Sequence, residues 1–391
     1  MTDLVNRMID LCEIIGQDGA IIALDQEKAY DRIRHDYLWR TLEKLGIPQP
    51  LIKTIKSLYM NAQSVAIING EISKKFSIHR GIRQGDPLSC LLFNLAIEPL
   101  SATLRDSCLL KGLEIKTPSL TERAIVSLFA DDTVVFMSKD DSLDTLFELL
   151  EGWCMASGAK FNREKSVIIP VRTPEHRQSV STTRKINLMS PETIDLDMKI
   201  LQDRATTRYL GAQCGNHPES CDPWPLIITK INMKLWTWER AFPSLEGRKH
   251  IAQMVIGGMT QFHTMAQGMP NHIKNKLMKL TRNFIWGTDS PPPIAMSILN
   301  SPTEKGGKNV IKIKACNKVT YIMKLKQMAT PVANRPLAAT ATEAIVLATL
   351  PKKIHEQEAH DPTILNPITQ LIPHRTNKVS NCLPLKIKKK H

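Results

Sequence analysis

Over residues 2–17, Leu4, Val5, Met8, Ile9, Leu11 and Cys12 recur at helical spacing behind Thr2 and ahead of Gly16 and Gly19, which predicts a helix. Residues 20–24 then run apolar without a break and end on Asp25, the pattern of a strand buried on both faces that carries a carboxylate out at its end. Leu38, Leu42 and Leu45 mark a helix stripe stopped by Gly46 and Pro48. Residues 64–68 and 72–78 flank Asn69-Gly70, the dipeptide that most readily takes the positive φ angles of a type I′ turn, and predict a β-hairpin. A turn-like segment at residues 83–87 leads into a helix over 88–105 that is apolar nearly all round and therefore predicted to be buried. Residues 125–130 and 133–137 are β-rich and separated only by Asp131-Asp132, which predicts a tight hairpin with two acids at its tip. A helix over 142–156 closed by Gly158 and a strand over 165–171 complete this half.

Beyond it the periodicity weakens. Residues 172–205 turn polar and predict a connection, after which residues 224–241, 246–267 and 271–286 return to helical spacing with many Lys and Arg. Residues 331–391 are rich in Pro, Thr and Lys and end in Lys386, Lys388, Lys389 and Lys390, the composition of a basic, disordered tail. The expected organisation is a first domain over 1–171, a connection over 172–204, a basic helical lobe over 205–330 and the tail over 331–391.

Composition narrows the class. The chain has 391 residues, 42% of them hydrophobic and 23% charged, so it is globular and long enough for two or three lobes. Lys and Arg number 52 against 38 Asp and Glu, a net charge of +14, which makes a polyanion the first partner to consider. Its longest apolar runs fall far short of the roughly 20 residues a spanning helix needs, so no membrane is expected. Residues 1–10 lack a basic start and apolar core, and eight cysteines are too sparse for a disulfide scaffold, so free thiols and an intracellular site are expected.

The chemistry concentrates in Asp25, Asp131 and Asp132. Carboxylates beside Ile22, Leu24, Leu128, Phe129 and Val134 carry a desolvation penalty unless something neutralises them, and a divalent cation does so economically. Hard oxygen ligands favour magnesium or manganese, and two such ions can activate a hydroxyl and stabilise a leaving oxygen in phosphoryl transfer. Taken alone, Asp131-Asp132 also reads as an ordinary turn dipeptide.

The flanks of these acids resemble a known family. Residues 25–31, with Asp25, Tyr30 and Asp31, then Arg83-Gln84-Gly85-Asp86-Pro87-Leu88-Ser89, then Phe129-Ala130-Asp131-Asp132, look like the successive palm motifs of a reverse transcriptase, in order and spacing. Residues 91–100, 157–166, Tyr209-Leu210-Gly211, residues 282–287 and Gly306-Gly307 are similar to retrotransposons lacking long terminal repeats, so the resemblance covers roughly residues 2–325. It implies an α+β polymerase palm, an antiparallel sheet backed by helices, followed by an α-helical thumb-like lobe. It also implies an RNA-directed DNA polymerase acting on an RNA template, a DNA primer and deoxynucleoside triphosphates. By the same resemblance Asp25, Asp131 and Asp132 bind the metal, Mg2+ or Mn2+, and Lys165 takes the basic position that serves departing pyrophosphate. Tyr30 closes the sugar pocket, Gln84 and Gly85 contact the templating pair and incoming nucleotide, and Tyr209, Leu210 and Gly211 grip the primer.

From the residues alone, Tyr30 reads equally as palm packing and Lys165 as a solvated lysine. Cys90 stands where the related motif usually ends in proline. Only 24 residues precede Asp25, where the family carries a fingers lobe and, further upstream, an endonuclease. The expectation is therefore a piece of a longer element, without fingers. Its rival activity is that of a palm–thumb remnant that binds nucleic acid without synthesis, and a nuclear site suits an element that integrates into chromosomes.

Overall fold

The structure, a computed structural model, describes residues 1–118, 120–216, 222–287 and 293–349. It divides into two compact units, one holding Ile15–Lys116 and Thr121–Asp203, the other Thr2–Ile14 and the chain from Arg204 onward. The first helix, α1 (Thr2–Ile15), thus belongs mainly with the second unit, a departure from a first domain running unbroken from residue 1. An ion-pair chain ties it there: Arg7 pairs with Asp3, and Lys324 donates to Asp3 Oδ1 at 2.9 Å.

In the first unit, β1 (Gly19–Gln26) is followed by α2 (Ala29–Arg32), α3 (His35–Lys44) and α4 (Gln49–Tyr59). Four two-residue strands come next, β2 (Gln63–Ser64), β3 (Ile67–Ile68), β4 (Glu71–Ile72) and β5 (Phe76–Ser77). They form nested ribbons, β2 with β5 and β3 with β4, around the predicted turn, where Asn69 and Gly70 take φ of 52° and 89°. The buried helix α5 (Ser89–Asp106) leads to β6 (Leu113–Thr117), β7 (Leu120–Ala124), β8 (Val126–Phe129) and β9 (Asp132–Ser138). Then come α6 (Leu143–Ser157), β10 (Phe161–Val171), α7 (Pro174–Thr183) and β11 (Lys199–Ile200).

The main sheet has the order β11-β10-β1-β9-β8 and is antiparallel apart from the β10–β11 pair. β1 lies at its centre, which explains an apolar run with no alternation: Ala20, Ile21 and Ile22 are fully buried. Ala20, Ile22 and Leu24 join a core with Leu38 and Leu42 of α3, Ile52 of α4, Phe93 and Leu100 of α5, and Leu146 and Trp153 of α6. A polar relay crosses three of these helices, since Trp153 Nε1 donates to Tyr37 Oη at 2.9 Å and Tyr37 Oη to the Ala96 carbonyl at 2.8 Å. The sheet backed by helices makes this the α+β architecture expected from the sequence. The segment after residue 171 is more than a connection. It supplies α7 and β11, and Ile186, Ile194, Met198 and Ile200 bury in the same core.

The second unit continues with β12 (Thr207–Tyr209) and β13 (Ala212–Cys214), a two-stranded ribbon. Helices α8 (Trp224–Glu239) and α9 (Leu245–Ala252) follow, then a π-helical turn, Gln253–Gly257, and α10 (Gly258–Gln267). α11 (Asn271–Trp286), α12 (Met296–Leu299), α13 (Ile313–Met328) and α14 (Leu337–Ala348) complete the described residues. Trp224, Ile231, Ile256, Leu277, Phe284 and Ile313 belong to its core. α14 corrects the expectation of a disordered tail from residue 331. Leu337–Ala348 is rich in Ala and other good helix formers, and Ala341, Ala344, Ile345 and Val346 are buried. Residues 350–391, with the terminal lysines, lie outside the described residues.

Candidate active site

Asp25 stands where the central strand emerges from the core. In the antiparallel register of β1 on β9, Leu24 pairs with Thr133, so the next step brings Asp25 opposite Asp132, with both side chains on one face of the sheet. Ala23 and Asp25 are the partly exposed positions of β1, so this face opens towards solvent as it reaches the acids.

The hairpin that carries the other two acids is one residue out of step with the sequence expectation. Phe129 pairs with Asp132, which makes Ala130 and Asp131 the turn and Asp132 the first residue of β9. Ala130 takes φ 52°, a left-handed conformation that disfavours a side chain, and the turn holds Asp131 out in solvent. Asp132 is half-buried. Its carboxyl is pushed above the ordinary aspartate range, first by burial and then by the negative charges of Asp131 and Asp25.

The donor set bears on a metal. Like charges gather at Asp132, and the perturbing groups around it include no cation. Among the described residues no three His, Cys, Asp or Glu side chains converge as a complete protein cage. The gathered carboxylates are the hard oxygen ligands that a divalent cation takes.

Tyr30 lies close enough to feel the charge of Asp131. Its ring stacks on Phe93, with centroids 4.6 Å apart and an interplanar angle of 14°, and its hydroxyl donates to Cys90 Sγ at 3.7 Å. Burial, the Cys90 contact and Asp131 together push the phenol up to about 12. The backbone at this point is tied to the loop before α5. Ile82 N–H donates to the Tyr30 carbonyl and Gly81 N–H to the Ile33 carbonyl, both at 2.7 Å. Gly81, at φ 91°, allows that approach, because a Cβ there would lie 2.9 Å from the Asp31 carbonyl oxygen.

Gln84 and Gly85 follow on the same loop and are exposed. Gly85 has φ 88°, and among the described residues nothing lies within 4 Å of the point a Cβ would occupy, so its backbone conformation calls for glycine. The loop closes on itself: Ser89 Oγ donates to the Arg83 carbonyl, and Asp86 Oδ1 accepts from Leu88 N–H at 2.9 Å.

Lys165 sits in an irregular stretch of β10. The register on β1 jumps from Ala23 opposite Val167 to Asp25 opposite Asn162, which loops residues 163–166 out of the ladder. Ser166 is folded inward, accepts from Asp25 N–H at 3.2 Å and donates to the Asn162 carbonyl at 2.7 Å. Lys165 is exposed, and its backbone N–H donates to Asn162 Oδ1. Tyr209, Leu210 and Gly211 belong to the other unit. Tyr209 ends β12, and Leu210 and Gly211, at φ 46° and 81°, form a two-residue turn beside Phe262.

The first unit thus gathers Asp25, Asp131, Asp132 and Tyr30. Cys90, Phe93 and Ser166 join them unpredicted. Cys90 and Phe93 stand three residues apart on α5, a spacing that puts them on one face without naming their partner, and nothing local marks Ser166.

Residues 3–214 match the family model described as reverse transcriptase (RNA-dependent DNA polymerase). The chain belongs to the reverse transcriptase family. Among its relatives is the uncharacterized 149 kDa protein of transposon TX1 from Xenopus laevis, 25% identical over 315 residues that cover 80% of this chain and 23% of that protein. The Pol polyprotein of the R2 retrotransposable element of Popillia japonica is 32% identical over 154 residues, 39% of this chain and 21% of that protein. That of R2DM from Drosophila melanogaster is 24% identical over 299 residues, 75% of this chain and 27% of that protein. The chain spans about a quarter of the length of these relatives. Among solved structures, telomerase from Candida tropicalis in complex with a TWJ fragment of telomeric RNA aligns over 94% of this chain and 51% of that chain, with 12% identity and a TM-score of 0.35. The reverse transcriptase domain is of the non-LTR retrotransposon kind, as the sequence motifs implied. Reverse transcriptases generally use divalent metal ions. No described helix is long and apolar enough to cross a membrane.

Proposed function

We propose that this chain performs RNA-directed DNA synthesis, with the primer 3′-hydroxyl attacking the α-phosphorus of a deoxynucleoside triphosphate paired on an RNA template. The observation that carries this reading is the register of β1 on β9, which brings Asp25 to Asp132 beside the exposed Asp131 and the stacked Tyr30. Asp25 and Asp131 would hold the divalent ions, magnesium or manganese, with Asp132 contributing less. When bound, such ions favour the nucleophilic form of the hydroxyl and stabilise charge on the leaving pyrophosphate.

The chain's own residues do the rest. The Tyr30 ring, held by Phe93 and Cys90, stands against a ribose 2′-hydroxyl and so selects deoxynucleotides. Gln84 and Gly85 present an exposed loop to the templating pair and the nucleotide. Lys165, on the looped-out stretch of β10, neutralises or protonates pyrophosphate. Tyr209, Leu210 and Gly211 support the primer from a tight ribbon, and the basic helices of the second unit act as a thumb-like lobe on the nucleic-acid backbone. Work in the nucleus follows from the retrotransposon reading.

The test is extension of a labelled DNA primer on an RNA template with magnesium and deoxynucleotides, beside an Asp131→Ala/Asp132→Ala control. Extension that the control loses is the expected result. Absence of extension from folded protein that still binds the template would overturn the catalytic reading in favour of nucleic-acid binding alone.

A further inference from the structure

The second unit contains a cleft of about 460 Å³ between α11, α12 and the start of α13, remote in sequence from the carboxylates and from Tyr209, Leu210 and Gly211. Apolar lining comes from Met278, Met296 and Ile311, and among the described residues no Asp or Glu lines it. Its rim is cationic, from Lys312, Lys314 and Lys318. Lysines of this unit pair with carboxylates at Lys249, Lys308 and Lys324, but among the described residues Lys312, Lys314 and Lys318 have no such partner.

The start of α13 adds to the positive field. Lys312, its N-cap, provides no side-chain cap, and the first turn of this 16-residue helix holds no acid. Asn300 also lines the cleft, and its Oδ1 has no hydrogen-bond partner among the described residues. This lining suits an occupant that joins an apolar face to an anionic group. A nucleotide joins those properties in one unit, and the cleft volume is in the range of small-ligand sites, about 300–1,000 Å³.

We propose that this cleft seats one nucleotide of a single-stranded nucleic acid, its base on the Met278, Met296 and Ile311 floor and its phosphate among Lys312, Lys314 and Lys318 at the start of α13. The proposal goes beyond polymerase activity, since it requires neither the carboxylates nor a metal. Thioether and aliphatic surface accepts the face of any base, so the site tolerates sequence while distinguishing a strand with bases from one without.

The test uses the full chain in EDTA without nucleoside triphosphates, so an inactive polymerase gives the same reading as an active one. Fluorescence anisotropy measures the affinity for a short labelled single-stranded oligonucleotide and for its abasic counterpart. The intact chain is expected to prefer the base-bearing strand by about tenfold, the size of one base contact. Ala315→Trp fills the cleft from an exposed position on α13 and should remove that preference while leaving abasic binding unchanged. Lys314→Ala/Lys318→Ala should weaken both strands. Equal affinity of the intact chain for the two strands, or a preference that survives in Ala315→Trp protein of unchanged circular dichroism, overturns the proposal. So does displacement of the strand by a free nucleoside monophosphate at matching affinity.

Discussion

Asp132 is a residue whose charge the fold disfavours. Burial and two neighbouring carboxylates raise its pKa, so the folded state binds its proton more tightly than the unfolded chain does. The sign follows: this group stabilises the fold most at low pH, and that contribution is lost as pH rises through the raised pKa. Asp132→Asn is expected to raise the melting temperature at neutral pH, with the gain shrinking as pH falls towards 4, while primer extension drops on the order of 100-fold, as when one electrostatic stabiliser is removed. An unchanged or lower melting temperature at pH 7 would contradict this account. Tyr30 works in the same sense at the alkaline end. With its phenol at about 12, its contribution is complete below the ordinary tyrosine pKa and lost between about pH 10 and 12. A spectrophotometric titration should show a late-ionising tyrosine that Tyr30→Phe abolishes.

Elements are joined by carboxylates that no local signal announces. Asp141 is buried at 7% exposure and accepts three backbone N–H groups, from Lys111 at 2.6 Å, Gly112 at 2.9 Å and Ser138 at 2.8 Å. It fastens the loop before β6 to the end of β9. Asp141→Ala leaves three donors without an acceptor and should cost about 3 kcal/mol in urea unfolding, since each lost buried partner costs about 1–3 kcal/mol. The start of α6 is capped twice: Ser142 Oγ accepts from Thr145 N–H and donates to Glu192 Oε1, while Glu192 Oε2 accepts from Leu143 N–H. The Ser142 half is local, a serine N-cap whose partner lies three residues on. The Glu192 half is not, because it arrives from 50 residues away in the chain. The β8–β9 hairpin shows a finer limit of the same kind. Turn composition located the hairpin at Asp131-Asp132, but pairing of Phe129 with Asp132 moved the turn onto Ala130, a residue type that would not be chosen for φ 52°.

On the scale of the whole molecule, the net charge of +14 dominates. If the chain engages six or more phosphates, its affinity for RNA should fall by roughly 10³-fold between about 50 and 200 mM salt, by counterion release. A flat salt dependence would remove the electrostatic basis for the nucleic-acid reading.

Residue types and local periodicity determined much by themselves. They located the strand ending at Asp25, the Asn69-Gly70 hairpin, the α5 and α6 helices and the three basic helical stretches, because turn chemistry and amphipathic spacing act within a few residues. Only the tertiary structure decided which strands are neighbours. The order β11-β10-β1-β9-β8 brings Gln26 into hydrogen-bond contact with Thr133, 107 residues away, and by the same register sets Asp25 against Asp132. It also turned Ser166 inward under Asp25, put Cys90 and Phe93 against Tyr30, and drew α1 and α14 into the second unit. Such contacts depend on closing long loops and sharing one buried surface, and no short stretch of residues encodes them.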